Sequence, residues 1–501
     1  MTRIQMTVAL SQLEPPPEFE FSESLTQLKK LNVQVTGNFT KEADQLINQL
    51  IQVCKDLAEM RQVTEKDPEI KGDLYLRLIN GYKGTPDLRI AVLESLAQYH
   101  ISRNFFQEAA VCYFHCSAII GEFLTKTNPT AYKYENNKFL ITCPSVNEET
   151  PICEQSAIDT DTVGQGPQFS ERGLVKFLTE ANHCMQKAQF FEIIHEGYKL
   201  LVPLYESQKN NASLAQLYRN MADCYDSLVK VEMTHGRVFD IFYRVGFYGK
   251  QFGNYNGIQY IYKERLVTQL AEICERMKLT YGTETSKIEL IQDSGPIDLK
   301  KLKEDVGYIQ ITHVKPSKEG SQFDKNFKID KFVFSTPFTK NGKAHGGVDQ
   351  QYLRKYVVYT DKPFPYLVKR IKITKIEDYE LTPLEVCIEN LQERLVDMRL
   401  VLTRQPPDIK ELQRVLSGSV RVQVNSGPLE IAKVFFGQRA SLPADKIALL
   451  EKIFMEFMKL SEESLILNKK LVKNDQLEFQ EDLEEGFAEL KVKLLATIQA
   501  K

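Results

Sequence analysis

Two groups of side chains in this sequence could, by their chemistry, form a metal site or an acid–base centre. Cys112, His115 and Cys116 share one predicted helical face and could offer three ligands to zinc. A fourth ligand is not evident and their neighbours are apolar, so we expect these residues to pack in a core. His345, in a glycine-rich stretch, could act as a general base. It has no nucleophile or paired carboxylate nearby, so we interpret it as a turn residue.

The chain lacks the short motifs with which many enzymes bind nucleotides or metals or activate a nucleophile. There is no G-x-x-x-x-G-K-[S/T], no G-x-G-x-x-G after a strand, no H-E-x-x-H and no G-x-S-x-G. We therefore expect no bound metal or cofactor. The weakest alternative is an unrelated enzyme that depends on His345.

One segment is hard to explain by packing alone: residues 418–428, GSVRVQVNSGP, interrupt a predicted helix. Two glycines, a proline and three alternating valines disfavour helix, and Pro428 removes a backbone donor. A simple helix–turn–helix corner would use a short polar turn. Here the loop is long, and exposure of Val420, Val422 and Val424 would cost free energy unless a partner covers them. The segment is therefore predicted to be a contact loop.

Changes in hydrophobic period divide the 501 residues into regions that must position this loop. Residues 1–40 are predicted to be an extended lead-in. Residues 41–236 have a helical period throughout, residues 237–380 contain short alternating runs typical of strands, and residues 381–501 return to a helical period. The fold class is therefore mainly α with an α+β middle.

The first helical region contains a weak internal repeat, because the residues around Phe105 resemble those around Phe190. The offset of about 85 residues is roughly two and a half tetratricopeptide units, which predicts a helical-repeat-like layer without a regular array. Residues 143–173 are polar, contain several prolines and glycines, and are predicted to form a mobile insert.

The middle region is predicted to be a mainly antiparallel sheet. Asn341-Gly342 indicates a hairpin turn, and the other connections are too short for crossover helices. One helix, Leu266–Leu279, is expected near its start. The last region begins with a capping box of Thr382 and Glu385, and its stripes predict about four antiparallel helices in a bundle.

Composition excludes several classes of protein. Lys and Arg number 64 against 67 Asp and Glu, a net charge of −3, which argues against nucleic-acid binding through net basic charge. No apolar run is long enough to span a membrane, and the start lacks the pattern of a signal peptide. The nine cysteines form no C-x-x-C pair, so we expect reduced thiols and a cytoplasmic protein.

Several short motifs occur in an order that suggests a known family. They are Asp67-Pro68-Glu69, Gly81-Tyr82 with Pro86-Asp87-Leu88-Arg89, Glu108-Ala109-Ala110, Tyr243-Arg244-Val245-Gly246-Phe247-Tyr248-Gly249, Thr336-Pro337-Phe338, Leu381-Thr382-Pro383, Gly418-x-Val420-x-x-x-Val424-Asn425-x-Gly427-Pro428-Leu429 and Asp475-Gln476-x-Glu478-Phe479. Over residues 45 to 500 the chain resembles the catalytic DOCK homology region 2 of the dedicator-of-cytokinesis guanine nucleotide exchange factors. The details are most similar to the Zizimin-related branches.

This resemblance implies three lobes. Lobe A, residues 41–236, would be a helical-repeat lobe that mediates homodimerisation. Lobe B, residues 237–380, would be an antiparallel sheet that contacts switch I of a GTPase. Lobe C, residues 381–501, would be a four-helix bundle that carries a nucleotide-sensor loop at residues 418–428.

The resemblance also implies a function. The chain would promote GDP release from a Rho-family GTPase, of the Rac type or the cell-division-control type, and GTP would then replace GDP without any covalent chemistry. A valine would exclude Mg²⁺ from the nucleotide site: Val424, with Val420 as the less favoured candidate. Asn425 and Gly427 would shape the loop, Gly427 through a positive φ or a close approach.

Two further expectations concern partners. Lys369 and Arg370, on a basic strand, are candidates to face switch I, and regions outside these residues would recruit the protein to membranes. The alternative function is a non-catalytic helical-repeat scaffold that binds a GTPase or another partner. An altered loop would favour the scaffold, but the loop keeps its valines, asparagine and glycine. The preferred GTPase does not follow from the sequence.

Overall fold

The structure is a computed structural model of the whole chain. The residues that it describes are 24, 27, 38–62, 68–82, 85–127, 136–149, 166–234, 240–282, 287–317, 328–340, 342, 346–420, 427–473 and 476–499.

Lobe A is helical throughout its described residues. Its helices are α1 (Asn38–Gln62), α2 (Pro68–Gly81), α3 (Pro86–Ser102), α4 (Phe106–Thr127), α5 (Asn136–Thr142), α6 (Glu171–Lys187), α7 (Phe191–Lys199), α8 (Val202–Ser207) and α9 (Asn211–Thr234). Helix α4 lies at the centre, packed between α3 and α6, because almost all of its first fifteen residues are buried. A helix that is apolar on all sides must be covered on all sides.

The two segments of the weak sequence repeat share one backbone turn. Asn104 follows α3 with φ 63° and Gln189 follows α6 with φ 56°. In both turns the next amide, of Phe105 or Phe190, donates to the carbonyl five residues earlier at 2.9 Å. Such left-handed residues commonly close helices, so the similarity between the segments extends from sequence to conformation.

The prediction of a mobile insert over residues 143–173 is wrong at both ends. Pro144–Glu148 forms a 3-10 helix whose contacts with α4 and α5 bury Ser145 and Val146. At the other end, Ser170 caps α6 by accepting a hydrogen bond from the amide of Gly173 at 3.2 Å. Residues 150–165 lie outside the described part of the chain.

Lobe B is built on seven strands in the described residues. They are β1 (Ile241–Tyr248), β2 (Gln259–Glu264), β3 (Lys287–Ile291), β4 (Val306–Pro316), β5 (Ile329–Phe338), β6 (Tyr352–Phe364) and β7 (Arg370–Leu381), with helix α10 (Leu270–Tyr281) between β2 and β3. The spatial order is β1-β2-β7-β6-β5-β4-β3, and β1 also pairs with β4. Six strands therefore close into a ring, with β3 added outside on β4.

The strand pairing confirms the prediction of a mainly antiparallel sheet, with one exception. Strands β3 and β4 run parallel, because the long connection between them, residues 292–305, allows a crossover. The predicted hairpin joins β5 and β6, whose register pairs Phe338 with Tyr352. Gly342 has φ 68°, as the predicted turn requires, while Asn341 lies outside the described residues.

Lobe C contains the helices α11 (Pro383–Thr403), α12 (Ile409–Val420), α13 (Pro428–Gly437), α14 (Ala444–Leu471) and α15 (Leu477–Gln499). The predicted capping box is confirmed at the start of α11, where the Thr382 amide donates to Glu385 Oε2 at 2.8 Å. Buried residues of all five helices form one hydrophobic core. Lobe C is joined to lobe B by contacts of α11 with β6 and β7.

Candidate functional site

The predicted contact loop lies between two buried helix ends. Helix α12 ends at Val420 and α13 begins at Pro428, so the interruption of the helix falls inside the predicted segment. Residues 421–426 lie outside the described part of the chain, and with them Val424 and Asn425. What the structure does describe is the base from which these residues depart.

The prediction that Val420 is exposed is wrong, because its side chain is 0% exposed in the core of lobe C. Val420 continues the buried stripe of Leu412 and Leu416 at a spacing of four residues, and this helical signal was present in the sequence. Its carbonyl oxygen lies beside Gly486 of α15. The distance is 3.9 Å from this oxygen to the position that a Cβ atom would take on Gly486. Val420 therefore anchors the first arm of the loop.

Gly427 does not adopt the positive φ that the sequence suggested. Its φ of −73° and ψ of 169° are extended, and it precedes Pro428, which disfavours the helical region for the residue before it. Gly427 is the N-cap of α13, and its carbonyl accepts from the Ile431 amide at 3.1 Å. The second arm thus begins with an ordinary helix start.

Helix α13 is fixed from two sides. Its buried residues, among them Leu429, Ala432 and Phe436, face the core of lobe C, where α13 packs on α15. It also contacts a 3-10 helix of lobe B, Val348–Gln350. The two arms of the loop are therefore held by one common neighbour, α15, and the second arm is also held by lobe B.

The expectation that Lys369 and Arg370 face switch I is wrong, because both side chains are buried between lobes A and B. Lys369 Nζ lies 2.8 Å from Glu69 of α2 and 3.0 Å from Glu264 of β2. Arg370 forms an ion pair with Asp73 and donates to the Tyr262 hydroxyl at 2.9 Å. These partners lie about 100 to 300 residues away, where periodicity gives no signal.

The opposite charges in this cluster stabilise one another. Burial alone would raise the pKa of Glu69, but the positive charges of Lys369 and Arg276 lower it to about 2. Burial opposes ionisation of Arg370, yet Tyr262 and Asp73 hold its pKa above the usual value. Charges removed from water require such close partners, so the cluster joins lobe A to lobe B.

Cys112, His115 and Cys116 are fully buried in lobe A, as the packing interpretation predicted. Among the described residues there is no group of three or more His, Cys, Asp or Glu able to hold a metal ion. His115 contacts Glu149 and Ser145 instead, at 2.7 Å and 2.8 Å. His345 lies outside the described residues.

Another buried cation, Arg244, lies on β1 of the strand ring. Its Nη2 donates to Gln310 at 2.7 Å and to the Ser294 carbonyl at 3.1 Å, and its guanidinium lies 4.4 Å from the ring centroid of Phe334. Burial lowers the pKa of Arg244. Thr336, from a second sequence motif, is linked to Arg244 through Ser294, because the Thr336 and Ser294 hydroxyls lie 2.6 Å apart. Arg244 therefore joins two of the sequence motifs in one interior cluster.

The described helices include none that is long and apolar enough to cross a membrane.

Comparison with known proteins matches all three lobes in order. Protein-family models described as "DHR-2, Lobe A", "DHR-2, Lobe B" and "DHR-2, Lobe C" match residues 73–230, 294–363 and 397–497. Each match falls within the range predicted for that lobe. Together they cover well over half of the chain.

Curated relatives have matching names. Dedicator of cytokinesis protein 8 of Homo sapiens is 34% identical over 479 residues, which is 92% of this chain and 22% of the relative. Dedicator of cytokinesis protein 7 of Mus musculus is 34% identical over 486 residues, 92% of this chain and 22% of the relative. Dedicator of cytokinesis protein 9 of Homo sapiens is 30% identical over 498 residues, 91% and 24% respectively. The chain thus spans less than a quarter of the length of these relatives.

Proposed function

The chain belongs to the dedicator-of-cytokinesis family, as a DHR-2 region with lobes A, B and C, and from this premise we propose that it is a guanine nucleotide exchange factor for Rho-family GTPases. The observation that carries the proposal is the interruption between α12 and α13. Both ends of the interruption are buried, so residues 421–426 start from a firm base. An exchange factor needs such a base, because its loop must enter a partner's nucleotide site.

The proposed mechanism removes Mg²⁺ from the partner GTPase. Mg²⁺ demands near-octahedral oxygen coordination and compensates the charge of the nucleotide phosphates. An apolar side chain in its place supplies no oxygen and leaves that charge uncompensated, so GDP binds less tightly. We assign this role to Val424, with Asn425 shaping the loop. The burial of Val420 in the lobe C core supports Val424 over Val420.

We assign lobe B the role of holding switch I open. Lys369 and Arg370 are already engaged with lobe A, so the contact must use exposed residues of lobe B instead. No covalent bond is made or broken in this mechanism. The chain would therefore catalyse exchange on its partner without a nucleophile or a cofactor of its own.

We also propose that two copies associate through lobe A. Helix α9 buries only Leu217 and Cys224 of its 24 residues, and one side of it exposes Tyr218, Tyr225 and Val229 by about half. A large apolar surface of this kind usually marks an interface.

Within each copy we take lobe C as a four-helix bundle, with α12 and α13 as one interrupted helix. Action in the cytoplasm, with membrane recruitment by regions outside these residues, completes the proposal.

The test is release of a fluorescent GDP analogue from a panel of purified Rho-family GTPases, with excess GTP and Mg²⁺. We expect accelerated release from at least one GTPase of the Rac or cell-division-control type. Binding to a GTPase without acceleration would contradict exchange activity and support the non-catalytic scaffold. Absence of both binding and acceleration across the panel would overturn the proposal altogether.

A further inference from the structure

Val348 belongs to lobe B by its place in the chain, but its side chain lies in the hydrophobic core of lobe C. It is the first residue of the 3-10 helix Val348–Gln350, which one residue, Gln351, separates from β6. Its side chain is 5% exposed and clusters with buried residues of α11 to α15. Among the buried residues of that cluster, Val348 alone comes from lobe B. Lobe B therefore inserts one apolar side chain into lobe C.

The strand register explains how Val348 reaches this position. Leu353 of β6 pairs with Leu381 of β7, and α11 starts two residues after Leu381. The 3-10 helix therefore lies beside the start of α11. It contacts both α11 and α13, and it is closed by the Gln350 amide, which donates to the Gly347 carbonyl at 2.9 Å.

Helix α13 needs such external support. It has only ten residues, and helices of this length are marginal in water without tertiary contacts. Its first residue, Pro428, follows within a few residues of the proposed sensor Val424. Whatever fixes α13 therefore fixes the second arm of the sensor loop.

A second link between the lobes is weaker. Lys355 of β6 lies 3.1 Å from Glu389 of α11, with side chains that are partly exposed to solvent. Exposed ion pairs contribute little to stability because water screens them. The buried apolar contact at Val348 is therefore the firmer connection between lobe B and the sensor arm.

We propose that Val348 is a positioning residue for nucleotide exchange, which sets the sensor loop of lobe C relative to the switch I surface of lobe B. This inference rests on the proposed exchange function. In that function lobe B holds switch I while the sensor enters the nucleotide site of the same GTPase. A misplacement of about 1 Å in such a geometry can cost a large part of the rate.

The first test compares Val348→Ala with the matched control Val401→Ala. Val401 is 7% exposed in the same core, and it lies near the opposite end of α11, roughly 25 Å from the helix start at 1.5 Å per residue. Both changes remove the same two methyl groups. Exchange is measured as kcat and as KM for the GTPase, and stability by thermal unfolding.

We expect Val348→Ala to lower kcat at least fivefold with KM changed less than twofold, and Val401→Ala to leave both within twofold. Both variants should lose a similar amount of thermal stability. An unchanged kcat for Val348→Ala, or an equal loss of kcat in Val401→Ala, would overturn the inference. An inactive wild-type protein would instead be a failure of the proposed function.

Two further variants keep the test informative if Val348→Ala does not fold. Val348→Ile keeps the branch at Cβ. Val348→Leu introduces a side chain with the same number of atoms as isoleucine, but with the branch at Cγ. We expect Val348→Ile to retain at least half of kcat and Val348→Leu to lose threefold or more. If Val348→Ile and Val348→Leu both kept wild-type activity, this result would contradict a positioning role for Val348.

A double-variant cycle separates positioning from general packing. If Val348 acts through the sensor, Val348→Ala should lower kcat less than twofold once Val424→Ala is present. The same fivefold loss in both backgrounds would mean that Val348 does not act through the loop.

Discussion

Arg89 of α3 and Glu149, directly after the 3-10 helix Pro144–Glu148, form a bidentate ion pair inside lobe A. The distances Nε–Oε2 and Nη2–Oε1 are both 2.7 Å, and the side chains are 1% and 2% exposed. His115 of α4 also contacts Glu149 Oε1 at 2.7 Å. Burial alone would raise the pKa of Glu149, but the His115 and Arg89 contacts lower it.

Glu149→Gln should destabilise lobe A by about 3 kcal/mol, because breaking a buried ion pair leaves the other charge without a partner. The control is Glu148→Gln, where the neighbouring carboxylate is partly exposed and pairs with Lys362, which is also partly exposed. The Glu148→Gln variant should lose less than about 1 kcal/mol of unfolding free energy. Urea unfolding measures both, and equal losses would contradict a special role of Glu149.

Stability should fall as pH rises from 7 to 9. Burial opposes protonation of His115, but hydrogen bonds with Cys143 and Glu149 raise its pKa to about 9, above the ordinary 6.5. Because the folded-state pKa is raised, protonated His115 contributes its full stabilisation to the folded state below about pH 6.5. This stabilisation is lost as pH rises through the folded-state pKa. The wild-type advantage in unfolding free energy over His115→Gln should shrink by about 2 kcal/mol over this range. A constant difference would show that His115 is neutral.

Val424→Ala should reduce exchange at least tenfold, equivalent to about 1.4 kcal/mol of transition-state stabilisation, with folding almost unchanged. Val420→Ala should do the reverse: because Val420 is buried, the change should cost about 2 kcal/mol of stability. GDP-analogue release and urea unfolding are measured on both variants. A wild-type exchange rate in Val424→Ala would refute the sensor assignment.

Lys369→Ala should destabilise the chain by about 3 kcal/mol, because Glu69 and Glu264 would lose their buried partner. The control is Lys372→Ala. Lys372 is exposed on the same strand, two residues after Arg370, so this change should lower the unfolding free energy by less than about 0.5 kcal/mol. GTPase affinity, measured at a temperature where both variants are folded, should be unchanged by Lys369→Ala. A weaker affinity there, without a loss of stability, would restore the switch I assignment.

Val229→Asp on the exposed side of α9 should convert dimers to monomers, since a charge in an apolar interface would be desolvated without a partner. Val492→Asp, on an exposed valine of lobe C, is the matched control and should leave association unchanged. Analytical ultracentrifugation distinguishes the two species. A dimer that persists in Val229→Asp would exclude this side of α9 as the interface.

Local signals were readable from the sequence. The capping box of Thr382 and Glu385 depends on residues three apart, and the structure has it as predicted. The strands β4 to β7 follow alternating runs of β-branched and aromatic residues. The burial of Val420 was also readable, from its spacing with Leu412 and Leu416, but the valine alternation of residues 420–424 outweighed it.

Long-range pairing was not readable. Lys369 was predicted to face switch I because it lies on a basic strand, but its carboxylate partners come from α2 and β2. The insertion of Val348 into lobe C likewise depends on the register of β6 and β7. The roles of Val424 and Asn425 stay predictions that rest on family resemblance.

The pairing of β7 has a consequence for solubility. Strand β7 pairs with β2 only through residues 370–372, so beyond Lys372 its outer edge has no strand partner among the described residues. An open strand edge can template aggregation with another chain. Here the edge carries exposed charges at Lys375, Glu377 and Asp378, which repel or hydrate an approaching strand. Replacing them with apolar residues would turn the same edge into a seed for intermolecular sheet growth.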